Sequence, residues 1–192
     1  MKIVCVLGSP RPRGNSTTIA RLFCETAEKN GAQVRVFTLS KLEYRGCQAC
    51  MTCKTKLDRC ALKDDMAEVL EAVREADILV LATPVYYGDI SSQMKGFIDR
   101  TYSYLSSDFH DNPNRSRLKP GKRLVFIQTQ GNPDEKSFAD IFPRYDYFFK
   151  WHGFTDNILI RGCGLMEPGD VDRRIEILGE AENAADILTM NA

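Results

Sequence analysis

What the chain lacks narrows its possible functions. Its 192 residues include two histidines and one tryptophan, and 26 basic side chains are balanced by 26 acidic ones, giving a formal net charge of zero. Such a chain has no overall field to gather nucleic acid or an anionic membrane, so neither is expected as a partner. The early apolar run, Ile3 to Leu7, meets Gly8 at once. It falls far short of the roughly 20 residues a membrane span needs, and a cytoplasmic location is expected. His110 and His152 stand too far apart, and too poorly accompanied, to mark a metal site or a catalytic pair. Internal repeats and low-complexity stretches are also missing. A chain of this length buries roughly 70% of its unfolded surface, so one domain covering residues 1–192 is expected.

What is present alternates regularly. Apolar runs at residues 2–7, 34–37, 78–82, 124–127 and 158–160 have the β-branched character of strands buried on both faces. Between them, helical spacing recurs in Ile19, Leu22, Phe23 and Ala27, in Met66, Val69, Leu70 and Val73, and in Met94, Phe97, Ile98, Tyr102 and Leu105. Phe138 to Phe149 and Val171 to Leu188 continue the pattern, with Pro143 expected to kink its helix or delay its start. Asn15 or Ser16, and later Asp64 or Asp65, can cap the helices they precede. Residues 107–121 read as an exposed connection or flap. Five strands alternating with helices predict an α/β three-layer sandwich around a five-stranded parallel sheet, with ligands beyond the carboxyl ends of its strands.

Three of those strand ends run into loops suited to an anionic, planar ligand. Gly8-Ser9-Pro10-Arg11, followed by Gly14-Asn15-Ser16-Thr17 at a helix start, gathers backbone N–H groups, hydroxyls and a guanidinium around one point. The spacing matches neither the dinucleotide-binding fingerprint nor the nucleoside-triphosphate loop, whose lysine is absent. The other two loops are Thr83 to Gly88 and Thr129 to Pro133.

The seven cysteines are unevenly placed. Cys5 and Cys24 fall on apolar faces and read as packing residues, and Cys163 lies in a loop without a neighbouring base. Cys47, Cys50, Cys53 and Cys60 crowd into an irregular excursion, residues 40–63, with gaps of two, two and six residues. That spacing can bring four soft ligands to an iron-sulfur centre. A four-thiolate zinc site fits three closely spaced cysteines less well, and a metal-free packing or dimer contact is a third reading. The excursion leaves the second strand at its carboxyl end, which places it on the same side of the sheet as the three loops.

Gly8 to Thr17, Asp64-Asp65-Met66, Pro84-Val85-Tyr86 and Met94 to Arg100 together resemble the NAD(P)H-dependent FMN reductase family (flavodoxin-like), in particular its iron-sulfur flavoprotein branch. The resemblance is strong over about the first 100 residues and follows the layout after that. It implies an FMN phosphate held by Ser9, Arg11, Asn15, Ser16 and Thr17, and a flavin ring edged by Pro84, Val85, Tyr86, Tyr87 and Gly88. Thr129, Gln130, Gly131 and Asn132 would form a third wall, and Cys47, Cys50, Cys53 and Cys60 would bind a [4Fe-4S] cluster. The activity implied is electron transfer from NAD(P)H through FMN to a quinone, a flavin or a protein acceptor. No side chain is singled out as catalytic, because the reactive atoms belong to the flavin. The alternative implied is a non-enzymatic carrier that exchanges electrons with ferredoxin. A homo-oligomer, dimer or tetramer, is expected in either case.

Overall fold

The computed structural model describes residues 1–190; residues 191 and 192, the end of the expected domain, lie outside the described residues. The chain runs from β1 (Lys2–Leu7) into α1 (Asn15–Lys29), and from β2 (Gln33–Thr38) into the cysteine excursion, which holds the short α2 (Thr52–Thr55). There follow α3 (Met66–Glu75), β3 (Ile78–Tyr86), the two-residue β4 (Asp89–Ile90) and α4 (Ser92–Arg100). β5 (Arg123–Thr129), α5 (Ile141–Trp151), β6 (Ile158–Gly162) and α6 (Ile175–Thr189) complete the described chain.

Five strands pair in parallel in the order β2-β1-β3-β5-β6, as the alternation predicts, and β4 adds a short antiparallel hairpin to the end of β3. Both faces of the sheet are buried, so neighbouring residues of one strand enter different cores. Val4, Val6, Leu79, Leu81, Leu124 and Phe126 pack with α3, α4 and α5. Ile3, Cys5, Val80, Val125 and Ile127 pack with α1 and α6, where Cys24 is also buried. No helix among the described residues is long and apolar enough to cross a membrane.

Local chemistry shifts several boundaries. Gly14, not Asn15 or Ser16, occupies the cap position of α1, and no side chain caps that helix. Pro143 is the third residue of α5, in the first turn where a helical N–H has no intrahelical partner, so the helix starts late and does not kink. α4 ends at Arg100, and a 3₁₀ turn over Thr101–Tyr104 carries the chain onward. Val171 lies in a separate 3₁₀ turn ahead of α6.

His152, at the C-terminal end of α5, is buried edge-on against Tyr104 and Phe149 with ring centroids 5.8 and 5.7 Å away, and its Nδ1 has no partner. Burial, helped by the positive charge of Lys54, pushes its imidazole down to about 4. The unfolded chain therefore takes up a proton below about pH 6.5 that the folded chain refuses until about pH 4. Stability falls as the pH drops through that window, with this residue contributing on the order of 3 kcal/mol. His152→Phe should flatten the pH dependence of the urea midpoint between pH 6.5 and 4; a slope equal to that of the unaltered protein would refute the assignment.

Candidate functional site

The sheet reverses its winding between β1 and β3, and the carboxyl ends of those strands lie side by side, with Leu7 paired to Ala82. Ligands collect at such a point because the crossovers depart to opposite faces and leave a crevice. A small hydroxyl cluster ties its edges together. Gly8 donates its N–H to the Ala82 carbonyl at 2.8 Å, and Ser91 Oγ donates to the Gly8 carbonyl at 2.8 Å. The same Ser91 oxygen accepts from Met94 N at 3.2 Å as the cap of α4, while Ser91 N donates to Thr83 Oγ1 at 3.1 Å. A Cβ on Gly8 would come within 2.9 Å of both Ser91 Oγ and Met94 Cβ, so the loop can pass here only as glycine. The sequence reading passed over Ser91, although a serine directly before a helical run is a cap signal; its bond to Gly8 leaves no pattern.

From Gly8 the loop curls over the N-terminus of α1. Arg11 N donates to Ser9 Oγ at 3.2 Å, and Gly14 N to the Arg11 carbonyl at 3.1 Å. Ser9, Ser16 and Thr17 are buried, and the Ser16 hydroxyl has no hydrogen-bond partner. Asn15 is placed differently from its neighbours. Its amide nitrogen donates to the Leu165 and Glu167 carbonyls at 3.4 and 2.9 Å, and its oxygen accepts from Val171 N at 3.1 Å. The side chain thus pins the 165–171 segment to α1, and a phosphate would meet the residue through its backbone. Arg11 Nη1 donates to the Met166 carbonyl at 2.9 Å, leaving its other guanidinium donors for a ligand.

At the end of β3, Tyr86 and Asp89 pair across a tight hairpin whose corner residues, Tyr87 and Gly88, have φ of 50° and 85°. Two positive φ values give the turn the twist that suits a hairpin, though glycine or asparagine is the usual residue at the first position. The tyrosine there is fully exposed, with Tyr86 half-exposed and Pro84 and Val85 half-buried beside it. The third segment adjoins through the pairing of Pro84 with Thr129. Gln130 is buried, but its side chain holds its own loop: the amide donates to the Asn132 and Asp134 carbonyls at 3.0 and 3.1 Å and its oxygen accepts from Arg161 at 2.9 Å. Asn132 likewise accepts from Asp134 N at 2.9 Å. Gly131 lies so close to Met166 that a Cβ would stand 2.8 Å from its methyl carbon. Met166 and Arg161 escaped the sequence reading, because backbone carbonyls and loop partners carry no pattern.

The cysteine excursion leaves β2 at the carboxyl rim as expected. Glu43 N and Arg45 N donate to Asp65 and Asp64 at 2.8 and 3.2 Å, so these carboxylates tie the excursion down, while Asp65 holds the cap position of α3 as the sequence suggested, without a side-chain cap bond. The chain then follows the outer face of α4 toward its C-terminus. Lys54 Nζ donates to the Tyr102 carbonyl at 2.7 Å and stands 4.1 Å from the Tyr102 ring centroid, and Arg117 donates to the Cys53 carbonyl at 2.8 Å. Cys47, Cys50, Cys53 and Cys60 line one cavity of about 620 Å³ between α4 and α5, with Ile98, Tyr102, Phe149 and His152 among its walls. Lys95 and Asp99 line it too, so the cavity runs along α4.

The thiols differ in environment. Burial pushes the Cys53 thiol up, while the Thr52 hydroxyl and N–H draw Cys50 down; burial also lowers Lys54, to about 8. Ala49 and Met51, on either side of Cys50, both take positive φ, 50° and 55°. No group of three or more potential ligands among the described residues is closed around a metal position.

An open parallel sheet of this order, with a phosphate-type loop at the switch point and glycine-containing walls beside it, defines a flavodoxin-like α/β protein. The chain belongs to the NADPH-dependent FMN reductase family, whose model matches residues 1–139. It is 36% identical over 101 residues to an iron-sulfur flavoprotein of Methanocaldococcus jannaschii, covering 53% of this chain and 52% of that one. It is 39% identical over 137 residues to one of Archaeoglobus fulgidus, covering 70% and 58%. The chain therefore spans between half and three fifths of the length of these two relatives. The NAD(P)H:quinone oxidoreductase of Methanothermobacter marburgensis superposes with a TM-score of 0.75 at 20% identity over 98% of this chain and 96% of that one, a likeness of fold.

Asn15→Ala removes three hydrogen bonds that fasten the 165–171 segment and should destabilise the protein by about 1–3 kcal/mol, read from urea unfolding. An unchanged midpoint would mean that this segment is held by other contacts.

Proposed function

We propose that the chain is an FMN-dependent oxidoreductase that takes electrons from NAD(P)H and delivers them to a quinone, a flavin or a protein acceptor such as ferredoxin. The observation that carries the flavin reading is the buried, unpartnered Ser16 hydroxyl in the first turn of a helix with no side-chain cap. Leaving a buried donor unpaired costs about 1–3 kcal/mol, and an anion at the helix N-terminus would relieve it while meeting the free N–H groups and the helix dipole. In this reading Ser9, Arg11, Ser16, Thr17 and the backbone of Asn15 bind the phosphate. Pro84 to Gly88 border the ring on one side, and Thr129 to Asn132 on the other, with the side chains of Gln130 and Asn132 shaping their loop from behind. Bound FMN would supply hydride acceptance and the release of electrons one or two at a time.

For the cysteine cavity we propose a [4Fe-4S] cluster held by Cys47, Cys50, Cys53 and Cys60. Support comes from the shared cavity of all four thiols and the iron-sulfur names of the two relatives. Binding would draw the thiols closer than they stand without metal. The cavity is bordered by the exposed Phe148, which fits a homo-oligomer in which electrons cross between subunits. A single domain in the cytoplasm completes the reading.

FMN-loaded protein should oxidise NADH or NADPH in the presence of a quinone faster than free FMN does; equal rates with both nucleotides would sink the enzymatic reading. Ser16→Ala should weaken FMN about tenfold, near 1.4 kcal/mol, without destabilising the flavin-free protein, since it removes an unpaired hydroxyl. Anaerobic reconstitution followed by iron, sulfide and zinc analysis decides the cysteine site: zinc alone, or no metal, would overturn the cluster.

A further inference from the structure

The loop between β6 and α6 leaves the same carboxyl rim as the three segments assigned to the flavin, and it is sewn to two of them. On one side Arg11 Nη1 donates to the Met166 carbonyl at 2.9 Å, and the Asn15 amide donates to the Leu165 and Glu167 carbonyls at 3.4 and 2.9 Å. On the other, Gly164 N donates to the Asn132 carbonyl at 3.1 Å and Leu165 N to the Gln130 carbonyl at 2.9 Å. Met166 therefore bridges the phosphate loop and the third wall. Its own N–H is taken by Asp170 Oδ2 at 2.9 Å, so both polar groups of its backbone are committed and the residue is held in place. The side chain is left free. Met166 is 62% exposed, and its thioether lies along the bare backbone of Gly131, where a Cβ would stand 2.8 Å from the methyl carbon and 3.0 Å from the sulfur. A scattered surface methionine needs no explanation, but one fixed at both N–H and carbonyl between an anion loop and a ring wall does.

We propose that the β6–α6 loop is a fourth wall of the flavin site and that Met166 is its contact residue, laying its thioether against the bound ring system. The proposal rests on the flavin reading and adds to it a residue from a fourth strand end. Sulfur beside an aromatic ring is favourable, and an unbranched, polarizable side chain can settle on a planar ligand without imposing a shape of its own. Arg11 links this contact to the phosphate, because its guanidinium holds the Met166 carbonyl through one nitrogen and has donors left for the anion. Recognition of the phosphate and placement of the ring are thus joined through one pair of residues.

Two measurements on the full chain test the fourth wall. With methionine methyl groups labelled with carbon-13 and the Met166 signal assigned from Met166→Leu, FMN and riboflavin should each shift that signal, and inorganic phosphate should not. A Met166 signal that stays put under saturating FMN, or that moves as far with phosphate alone, would overturn the ring contact. Met166→Ala keeps the carbonyl that holds Arg11, so it should weaken FMN and riboflavin alike, by about three- to tenfold, and leave the urea midpoint of the flavin-free protein unchanged. Unaltered affinity for both flavins, or a loss confined to FMN, would overturn the proposal. Failure of the flavin reading shows separately, as Ser16→Ala protein that keeps the FMN affinity of the unaltered chain.

Discussion

A parallel strand buried on both faces cannot turn back on itself. It must return through a helix that crosses the sheet, and every crossover begins where a strand ends at its carboxyl side. In this chain that constraint acts most strongly at β1 and β3, adjacent strands whose following helices, α1 and α4, pack on opposite faces. The two loops must diverge there, and the space between them cannot be filled by either helix. The hydroxyl knot of Ser91, Thr83 and Gly8 stabilises the divergence, because it satisfies backbone groups that would otherwise be buried unpaired. The proposed flavin position is therefore a consequence of the winding, and the loop residues refine what the winding leaves open.

The same constraint explains which parts of the molecule could be read from residues alone. Strands buried on both faces are nearly continuous apolar runs, and the helices between them repeat every three to four residues, so the alternation of elements and the five-stranded sheet were plain in segments such as Ile78 to Ala82 and Met66 to Val73. Glycine and hydroxyl clusters at strand ends located the rim for the same reason. Side-chain destinations were less legible. Asn15 has the composition of a phosphate ligand or a cap, but its amide is taken up by the carbonyls of Leu165 and Glu167, more than 140 residues away in sequence. Asp65 takes the cap position of α3 as its type suggests, but its carboxylate, like that of Asp64, ties down the excursion that precedes it. In each case a short polar side chain has several acceptors or donors within reach, and tertiary packing decides among them.

The placement of the cysteine excursion shows a second limit. Its point of departure from β2 was set by topology, but an irregular segment has no periodicity from which to infer its course. Tyr44 starts that course, donating to the Gln93 carbonyl at 2.8 Å and lying against Gly96, where a Cβ would stand 3.1 Å from its ring. Glycine at position 96 thus gives the excursion a shallow place on the outer face of α4. Arg45 and Lys54 then continue the path toward the helix C-terminus through contacts with Arg100, Tyr102 and Leu105. Each step uses a carbonyl or a bare patch of helix, features that single-residue patterns do not reveal.

Charge distribution connects the two regions. A chain with zero net charge can still bury a guanidinium, provided that its partner and the surrounding carbonyls satisfy it. Burial by itself would make Arg100 harder to charge, yet the Asp64 carboxylate and Cys60 hold its pKa above the ordinary value; Asp64, which partial burial pushes up, is held below its own by the same guanidinium. The pair is thus locked in its ionised form across the working pH range. An apolar pair of similar volume would pack the junction between α4 and the excursion at less electrostatic cost. The orphaned Nε–H is the part of the guanidinium that packing alone leaves unexplained. Ala49 and Met51, in the excursion that the pair ties down, are also strained, since left-handed residues cost of order 1–3 kcal/mol each and persist where the surrounding structure holds them.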